Sequence, residues 1–417
     1  MLYDSWPFDQ RMAELPMRKA LSFLCLLPSV FLAACSSSPD TLSSGQSSAS
    51  RTNVSATAES GSGSTSSAGS GYVKASSSSS LPSYGASRVT GDYAGYASVE
   101  RFIDRMSREE SFDPSYVAGV LSRVERQQWI IDFVTKPRRK APSRPTGYWN
   151  RYRAKFLTND NIAGGSRFWR RYASVLRRAE AEYGVPAEYV VAIIGVETRY
   201  GGYMGKHQVV DALATLAFDF PRRSAFFTDE LAAFLVMARD EGFDPFRPKG
   251  SYAGAMGYGQ FMPSSFHNWA VDFDGDGRRD LWNPVDAIGS VANYFVSHGW
   301  RTGEPVTVRA RTNGSGAGLM KAGFDTRYGL DALSAEGVSP GGSIPNGEPV
   351  SLIKLDVGGS SGYQYWLGLK NFYVITRYNH SSYYAMAVHQ LAQAVRKRHA
   401  MSGARVSARN LGTDPVL

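Results

Sequence analysis

A mainly α-helical fold with small β parts, α+β in class, is what the sequence predicts for the body of this chain. Two observations carry the prediction. Between about residues 93 and 400, apolar residues recur mostly at helical spacing. Short β-branched runs, such as Ser351-Leu352-Ile353-Lys354-Leu355, are gathered in 302–375 among Gly and Pro. No internal repeat is visible.

Residues 1–34 read as an address rather than as structure. Met17-Arg18-Lys19 opens a basic n-region, and the apolar run Ala20–Leu32 is too short to span a bilayer. Met17 is the expected true start, because residues 1–16 look out of place before such a signal. Leu32-Ala33-Ala34-Cys35 resembles a bacterial lipobox, which predicts cleavage before Cys35 and lipidation of that cysteine. An ordinary signal peptide with a chance cysteine is the competing reading. Ser36, rather than Asp, follows the cysteine and points to the periplasmic face of the outer membrane. Residues 35–92 are rich in Ser, Gly, Ala and Thr and poor in large apolar side chains. They cannot bury enough surface to offset their ordering entropy, so a flexible tether is expected.

From about Tyr93 the composition turns globular. Val99, Phe102, Ile103 and Met106 mark a helix, and amphipathic stretches follow near 115–134 and 163–183. Gly184-Val185-Pro186 breaks the chain: Gly suits the position after a helix, and Pro suits the first turn of the next. That next helix, about 186–199, reads Pro-Ala-Glu-Tyr-Val-Val-Ala-Ile-Ile-Gly-Val-Glu-Thr-Arg. Helices at about 222–241 and 284–298, the loop-and-strand stretch 302–375, and a last helix at about 381–398 complete the body. Residues 401–417 read as a tail.

Lys and Arg outnumber Asp and Glu, 46 to 37, for a formal charge of +9. This moderately basic balance suits an anionic polymer or lipid surface. No nucleic-acid motif accompanies it, so no nucleic-acid partner is expected. Both cysteines, Cys25 and Cys35, precede the globular body. A disulfide staple, a zinc site and a cysteine nucleophile are therefore not expected in the body.

Glu197 falls four residues after Ile193 and seven after Val190, which places it on an apolar stripe. Desolvation raises the pKa of a carboxyl group there, and the negative end of the helix dipole acts in the same direction. Such a group stays protonated near neutral pH, as a general acid must. The alternative is a helix-terminal Glu paired with Arg199 or another base. Further on, Gly250–Ser265 combines glycines, which let a backbone approach a ligand, with Ser251, Tyr258 and Gln260, which offer hydroxyl, ring and amide groups. Gly254, Gly257 and Gly259 have the wrong spacing for a dinucleotide loop.

Glu197-Thr198-Arg199-Tyr200-Gly201 followed by Gly254-Ala255-Met256-Gly257-Tyr258-Gly259-Gln260-Phe261-Met262-Pro263-Ser264 resembles the membrane-bound lytic murein transglycosylase B family. Asp286–Phe295 and Arg377-Tyr378-Asn379-His380-Ser381 match in the same order, and the resemblance spans roughly 95–400. It implies a goose-type lysozyme-like core, about 184–300, flanked by α and β parts. It also implies non-hydrolytic cleavage of peptidoglycan glycan strands between N-acetylmuramic acid and N-acetylglucosamine, giving 1,6-anhydromuramyl ends. Glu197 would act first as acid and then as base. Carried across residue by residue, the sugar-contacting positions are Tyr152, Ser251, Gln260, Tyr294, Tyr378, Asn379 and Tyr384. A lysozyme-like hydrolase and a non-catalytic wall-binding module are the competing functions. The first differs in product, the second in its indifference to Glu197.

Asp272, Asp274 and Asp276, with Gly277 next, have the opening spacing of an EF-hand loop, whose hard carboxylate oxygens suit Ca²⁺. The twelfth position holds Asn283 instead of Glu. The resemblance implies a longer loop closed by Asp286, with a backbone carbonyl from Arg278 and a structural calcium ion. An acidic loop without an ion is the alternative. His207, His267, His298, His380, His389 and His399 lack metal-ligand spacing, and His380, inside the matched Tyr-Asn-His-Ser segment, is expected to orient a loop. The basic stretch Lys136–Lys140 reads as a solvated loop, with contact to acidic wall polymer or lipid as the competing reading.

Overall fold

A computed structural model describes residues 83–137, 145–360 and 362–411, with side chains of the last helix described as far as Ser402. The expected leader with Cys35, most of the tether, Arg138-Arg139-Lys140 and residues 412–417 lie outside the described residues. No helix among the described residues is long and apolar enough to cross a membrane.

The first half is helical: α1 (Ala97–Glu110), α2 (Pro114–Leu121), α3 (Gln128–Val134), α4 (Tyr148–Ala154), α5 (Asn159–Arg171), α6 (Ala173–Tyr183), α7 (Ala187–Thr198), α8 (Val209–Asp219) and α9 (Ser224–Asp240). Two-residue strands β1 (His207–Gln208) and β2 (Lys249–Gly250) pair antiparallel across it. Helices α10 (Pro263–Trp269) and α11 (Pro284–Ser297) follow. Strand β3 (Thr307–Thr312), short helices α12 (Gly316–Leu319) and α13 (Leu330–Ala335), and strands β4 (Val338–Pro340), β5 (Ser351–Gly358) and β6 (Gly362–Gly368) come next. They form an antiparallel sheet of order β4-β3-β6-β5. Helices α14 (Lys370–Tyr378) and α15 (Ser382–Leu411) close the chain.

Local signals start several helices. The Asp113 carboxylate accepts from Ser115 N–H at 2.8 Å with Pro114 at the first position of α2, and Asn283 Oδ1 accepts from Val285 N–H at 2.9 Å with Pro284 opening α11. Gly184, at φ +66°, ends α6 as expected, but Pro186 caps α7 from outside its first turn.

Helix α7 departs from the expected stripe. All twelve of its residues are buried, because α5, α6, α11 and α15 pack around it. A helix that is apolar nearly all round belongs inside a core. The stretches at 115–134 and 163–183 are each two helices, and α8 and α14 are helices that the pattern did not reveal. A satellite core lies on the sheet, where Leu352 faces Leu367 across β5 and β6 beside Val338, Leu333 and Ala317.

Candidate active site

Glu197 sits one residue before the end of α7 and is only 6% exposed. Its Oε1 accepts a hydrogen bond from the Tyr384 hydroxyl at 2.5 Å, and its buried Oε2 has no hydrogen-bond partner among the described residues. The ion pair with Arg199 does not form; that guanidinium lies 5.7 Å from the Tyr203 ring instead. Burial pushes the Glu197 carboxyl up to about 8, and the Tyr384 hydrogen bond pulls in the opposite direction without cancelling it. The pKa of Tyr384 is raised well above 10 by its own burial and then by the Glu197 charge, so it remains a donor.

Helix α7 ends unusually. Arg199 and Tyr200 are both left-handed, at φ +49° and +63°, and this folds the Tyr200 ring back onto the helix. The ring enters a slot that only glycine leaves open: a Cβ at Gly195 would lie 2.5 Å from the Tyr200 hydroxyl oxygen, and one at Gly165 would meet the same atom. Thr198 Oγ1 lies 3.0 Å from the Tyr258 carbonyl oxygen and accepts from Gly201 N–H at 3.1 Å. These contacts tie the end of α7 to the glycine-rich segment. Thr198 and Tyr200 are supporting residues that the sequence reading did not single out. The signal was available in the glycines at 164, 165 and 195, but their convergence on one ring needs the fold.

The glycine-rich segment is a tight hairpin. Ser251 Oγ accepts from Ala253 and Ala255 N–H, and Met256 and Phe261 exchange both backbone hydrogen bonds. Gln260, at φ +52°, donates through its amide to the carbonyls of Gly257 at 2.9 Å and Met204 at 3.2 Å. Gly259 faces Tyr378, whose hydroxyl donates to its carbonyl at 2.6 Å; a Cβ there would lie 2.8 Å from that hydroxyl.

The remaining expected residues come from distant elements. Tyr294 on α11 packs its ring 4.7 Å from that of Tyr378 and donates to the Arg377 carbonyl at 2.6 Å. His298 stacks on the far side of the pair, 4.0 Å from the Tyr294 ring. Tyr152 is buried on α4. The Asp356 carboxylate anchors the start of that helix by accepting from Thr146, Gly147 and Tyr148 N–H. Tyr152, Tyr378 and Tyr384 all have pKa values raised by burial and further by the charge of Glu197, so the three phenols surround the carboxyl electrostatically. Asn379 ends α14, half-buried, with its backbone carbonyl accepting from Ser381 N–H. The hydroxyls of Tyr294, Tyr378 and Tyr384 are thus already bound to protein acceptors, and the Tyr294 and Tyr384 rings are themselves buried. His380 packs against Phe324 at 5.9 Å.

In the acidic loop, one carboxylate oxygen from each of Asp272, Asp274 and Asp276 lies within 4.8 Å of the others. Asp286 is not in that group. Buried beneath the loop, its Oδ1 accepts from Phe273 and Asp274 N–H and its Oδ2 from Asp280 N–H. Asn283 caps α11 and donates its amide to Asp274, so neither end of its side chain is free for an ion.

The chain is similar to known proteins over most of its length. The curated membrane-bound lytic murein transglycosylase B of Escherichia coli (strain K12) is 51% identical over 318 residues, which are 75% of this chain and 87% of that protein. The crystal structure of the Escherichia coli lytic transglycosylase SLT35 in complex with calcium superposes with a TM-score of 0.70 at 50% identity, covering 75% of this chain and 97% of that one; the same enzyme has been solved with bulgecin A. SltB3 from Pseudomonas aeruginosa, solved with NAG-anhNAM-pentapeptide, is 32% identical over 72% of this chain and 80% of its own, with a TM-score of 0.62. Residues 95–393 match the transglycosylase SLT domain, and the chain belongs to that family.

Proposed function

We propose that this chain, a peptidoglycan lytic transglycosylase, does its chemistry with Glu197 alone as acid and then base. The observation that carries the reading is a fully buried carboxyl group with one oxygen fixed by Tyr384 and the other unpartnered. At neutral pH its proton is retained and sits on Oε2. The group donates that proton to the glycosidic oxygen of N-acetylglucosamine as the bond to C1 of N-acetylmuramic acid breaks. The muramyl N-acetyl oxygen stabilises the positive charge at C1. Glu197, now a carboxylate held by Tyr384, takes the proton of the muramyl 6-hydroxyl, whose oxygen bonds to C1. The 1,6-anhydro ring closes, no water is consumed, and Glu197 regains its proton. One protein carboxyl group suffices for the cycle.

Tyr152, Tyr294, Tyr378 and Tyr384 form the aromatic packing behind the site, and Tyr378, the least buried of them, is the ring best placed to meet a sugar face. Ser251, Gln260 and Asn379 shape its polar side. Asp272, Asp274, Asp276 and the carbonyl of Arg278 would hold calcium. The fit lies in a purely hard-oxygen donor set at EF-hand spacing, and the ion would supply rigidity rather than chemistry. Asp286 would have to release one of its N–H donors to join them. A lipidated Cys35 would hold the enzyme at the periplasmic face of the outer membrane, a reading supported by the lipobox and by the name of the membrane-bound relative. Cys35→Ser is then expected to move the enzyme from the membrane to the soluble fraction; retention in the membrane would reject the anchor.

Glu197→Gln is expected to lower cleavage of purified sacculi by about 10³-fold or more, with an unchanged circular dichroism spectrum. Mass spectrometry of the wild-type products should show anhydromuramyl ends. Reducing ends alone, or an active Gln variant, would overturn the mechanism.

A further inference from the structure

The later part of α15 and the neighbouring end of α5 form a basic face that the reaction above does not use. From Val357 to Thr413 the chain has no Asp or Glu, and α15 alone carries Arg396, Lys397, Arg398, Arg405 and Arg409. Arg167, Arg170 and Arg171 lie toward the end of α5. The two helices pack side by side. A Cβ at Gly165 would lie 2.6 Å from Val395 Cγ2, and the rings of Trp169 and His399 stack at 4.5 Å, 9° from parallel. The pKa of His399 is lowered by burial and also by the charge of Arg170, so the charges of one helix reach the other.

Arg167, Arg170, Arg171, Arg396, Lys397 and Arg398 are all exposed, and little within the protein neutralises them. Arg396 pairs with Glu188 at 3.3 Å, yet its side chain stays 61% exposed. Glu180, the next carboxylate, acts on Glu188 in turn. Asp160 lies in the first turn of α5, at its other end. Apolar groups sit among the charges: Trp169 is half-buried and Met401 is 50% exposed. Cations mixed with a tryptophan and an open aliphatic side chain suit the boundary between lipid headgroups and acyl chains. A polymer of sugars and peptides offers no apolar layer to receive them. Arg396 is twelve residues from Tyr384 on the same helix, about 18 Å along its axis, so the charges of α15 stand clear of Glu197.

We infer that this face docks the folded body on an anionic phospholipid surface, with Lys397 and Arg398 among the headgroup phosphates. The inference rests on the membrane location read from the lipobox and adds a second, reversible contact to it. Cys35 precedes the first described residue, Ser83, by 48 positions. A Ser- and Gly-rich coil of that length spans roughly 40 Å, and tethering over such a distance gives an effective concentration in the millimolar range. A weak electrostatic contact is then enough to hold the body down.

The test uses a chain beginning at Ser36, which keeps the whole folded body and carries no acyl group. It is sedimented with vesicles of phosphatidylethanolamine and phosphatidylglycerol, and with vesicles of phosphatidylcholine alone. Binding to the anionic vesicles only, lost in high salt, is expected. Lys397→Gln/Arg398→Gln should weaken it about 30-fold, each charge counting for about fivefold. Removing two charges from α1, in Arg101→Gln/Arg108→Gln, should change it less than about twofold. Both double variants should cleave soluble glycan strands like wild type. Equal binding to the two kinds of vesicle, or equal effects of the two double variants, would overturn the inference. So would a loss of affinity for sacculi in place of vesicles, which would assign the face to wall polymer. Fractionation of Cys35→Ser in high salt, where the electrostatic contact is screened, judges the anchor separately, so the two failures are distinguishable.

Discussion

Glu197 occupies a place that opposes its own charge, and Tyr384 moderates that opposition. Desolvation holds the carboxyl near 8, while the tyrosine hydroxyl favours the ionised form. The second half of the reaction needs that ionised form. Removing the hydroxyl in Tyr384→Phe leaves Oε1 buried without its donor and pushes the carboxyl still higher. The alkaline limb of kcat/KM, expected near pH 8 in wild type because the acid must be protonated, should therefore move upward. Activity below that limb should fall by about tenfold to a hundredfold, the range for losing a hydrogen bond to a charged group. A pH–rate profile checks both; a limb that stays in place would detach Tyr384 from the acid. At this scale Glu197 was legible because its spacing and apolar neighbours are local. Tyr384 lies 187 residues further on, and no periodicity links the two. It was named only through the family resemblance. Thr198 and Tyr200 were missed because their role is to hold the helix end, which becomes visible only when Gly165, Gly195 and Tyr258 arrive around them.

Long helices with one wet face, such as α1, α9 and α11, were read correctly, whereas the short amphipathic α4 and α14 and the helices that break without a local signal were not. Between α2 and α3 the backbone N–H groups of Glu125, Arg126 and Gln127 go to Asp211, Asp92 and Thr215. The partners that stop the helix are thus 34 to 88 residues away, beyond any window on the sequence. Helix α8 was passed over for a different reason: nine of its eleven residues are buried, so it has no polar face to set its period. The acidic loop is the opposite case, with its spacing written in the chain. Without a cation, Asp272 and Asp274 satisfy their oxygens with N–H groups of their own loop and the Asn283 amide, yet three carboxylates remain close enough to repel. Calcium in millimolar excess is therefore expected to stabilise the folded state by about 1–3 kcal/mol, read as a rise in melting temperature reversed by a chelator. Asp272→Asn should remove the rise while leaving cleavage of sacculi measurable. An identical melting temperature with and without calcium would show that the loop folds as an acidic turn and holds no ion.

At the scale of the whole molecule, the active site draws on the stability of the core around it. Helix α7 is enclosed by four helices, and the carboxyl of Glu197 is the group in that helix with a wholly buried, unpartnered oxygen. A carboxyl near 8 in the folded chain and near 4.5 in the unfolded one binds its proton more tightly when folded. Stability from this group is therefore complete below about pH 4.5 and is progressively lost as pH rises toward 8. Near pH 7 the loss amounts to about 3 kcal/mol, a substantial part of the roughly 5–15 kcal/mol that keeps a domain folded. Glutamine at position 197 keeps the shape and carries no proton to lose. The Glu197→Gln enzyme should thus match wild type in denaturant stability near pH 4.5. It should become increasingly more stable than wild type up to about pH 8, with a constant difference beyond. Urea titrations of both proteins across that range measure it directly. A difference that does not grow with pH would mean that Glu197 is already ionised and solvated in the folded chain, and the acid would have to be sought elsewhere in the cleft.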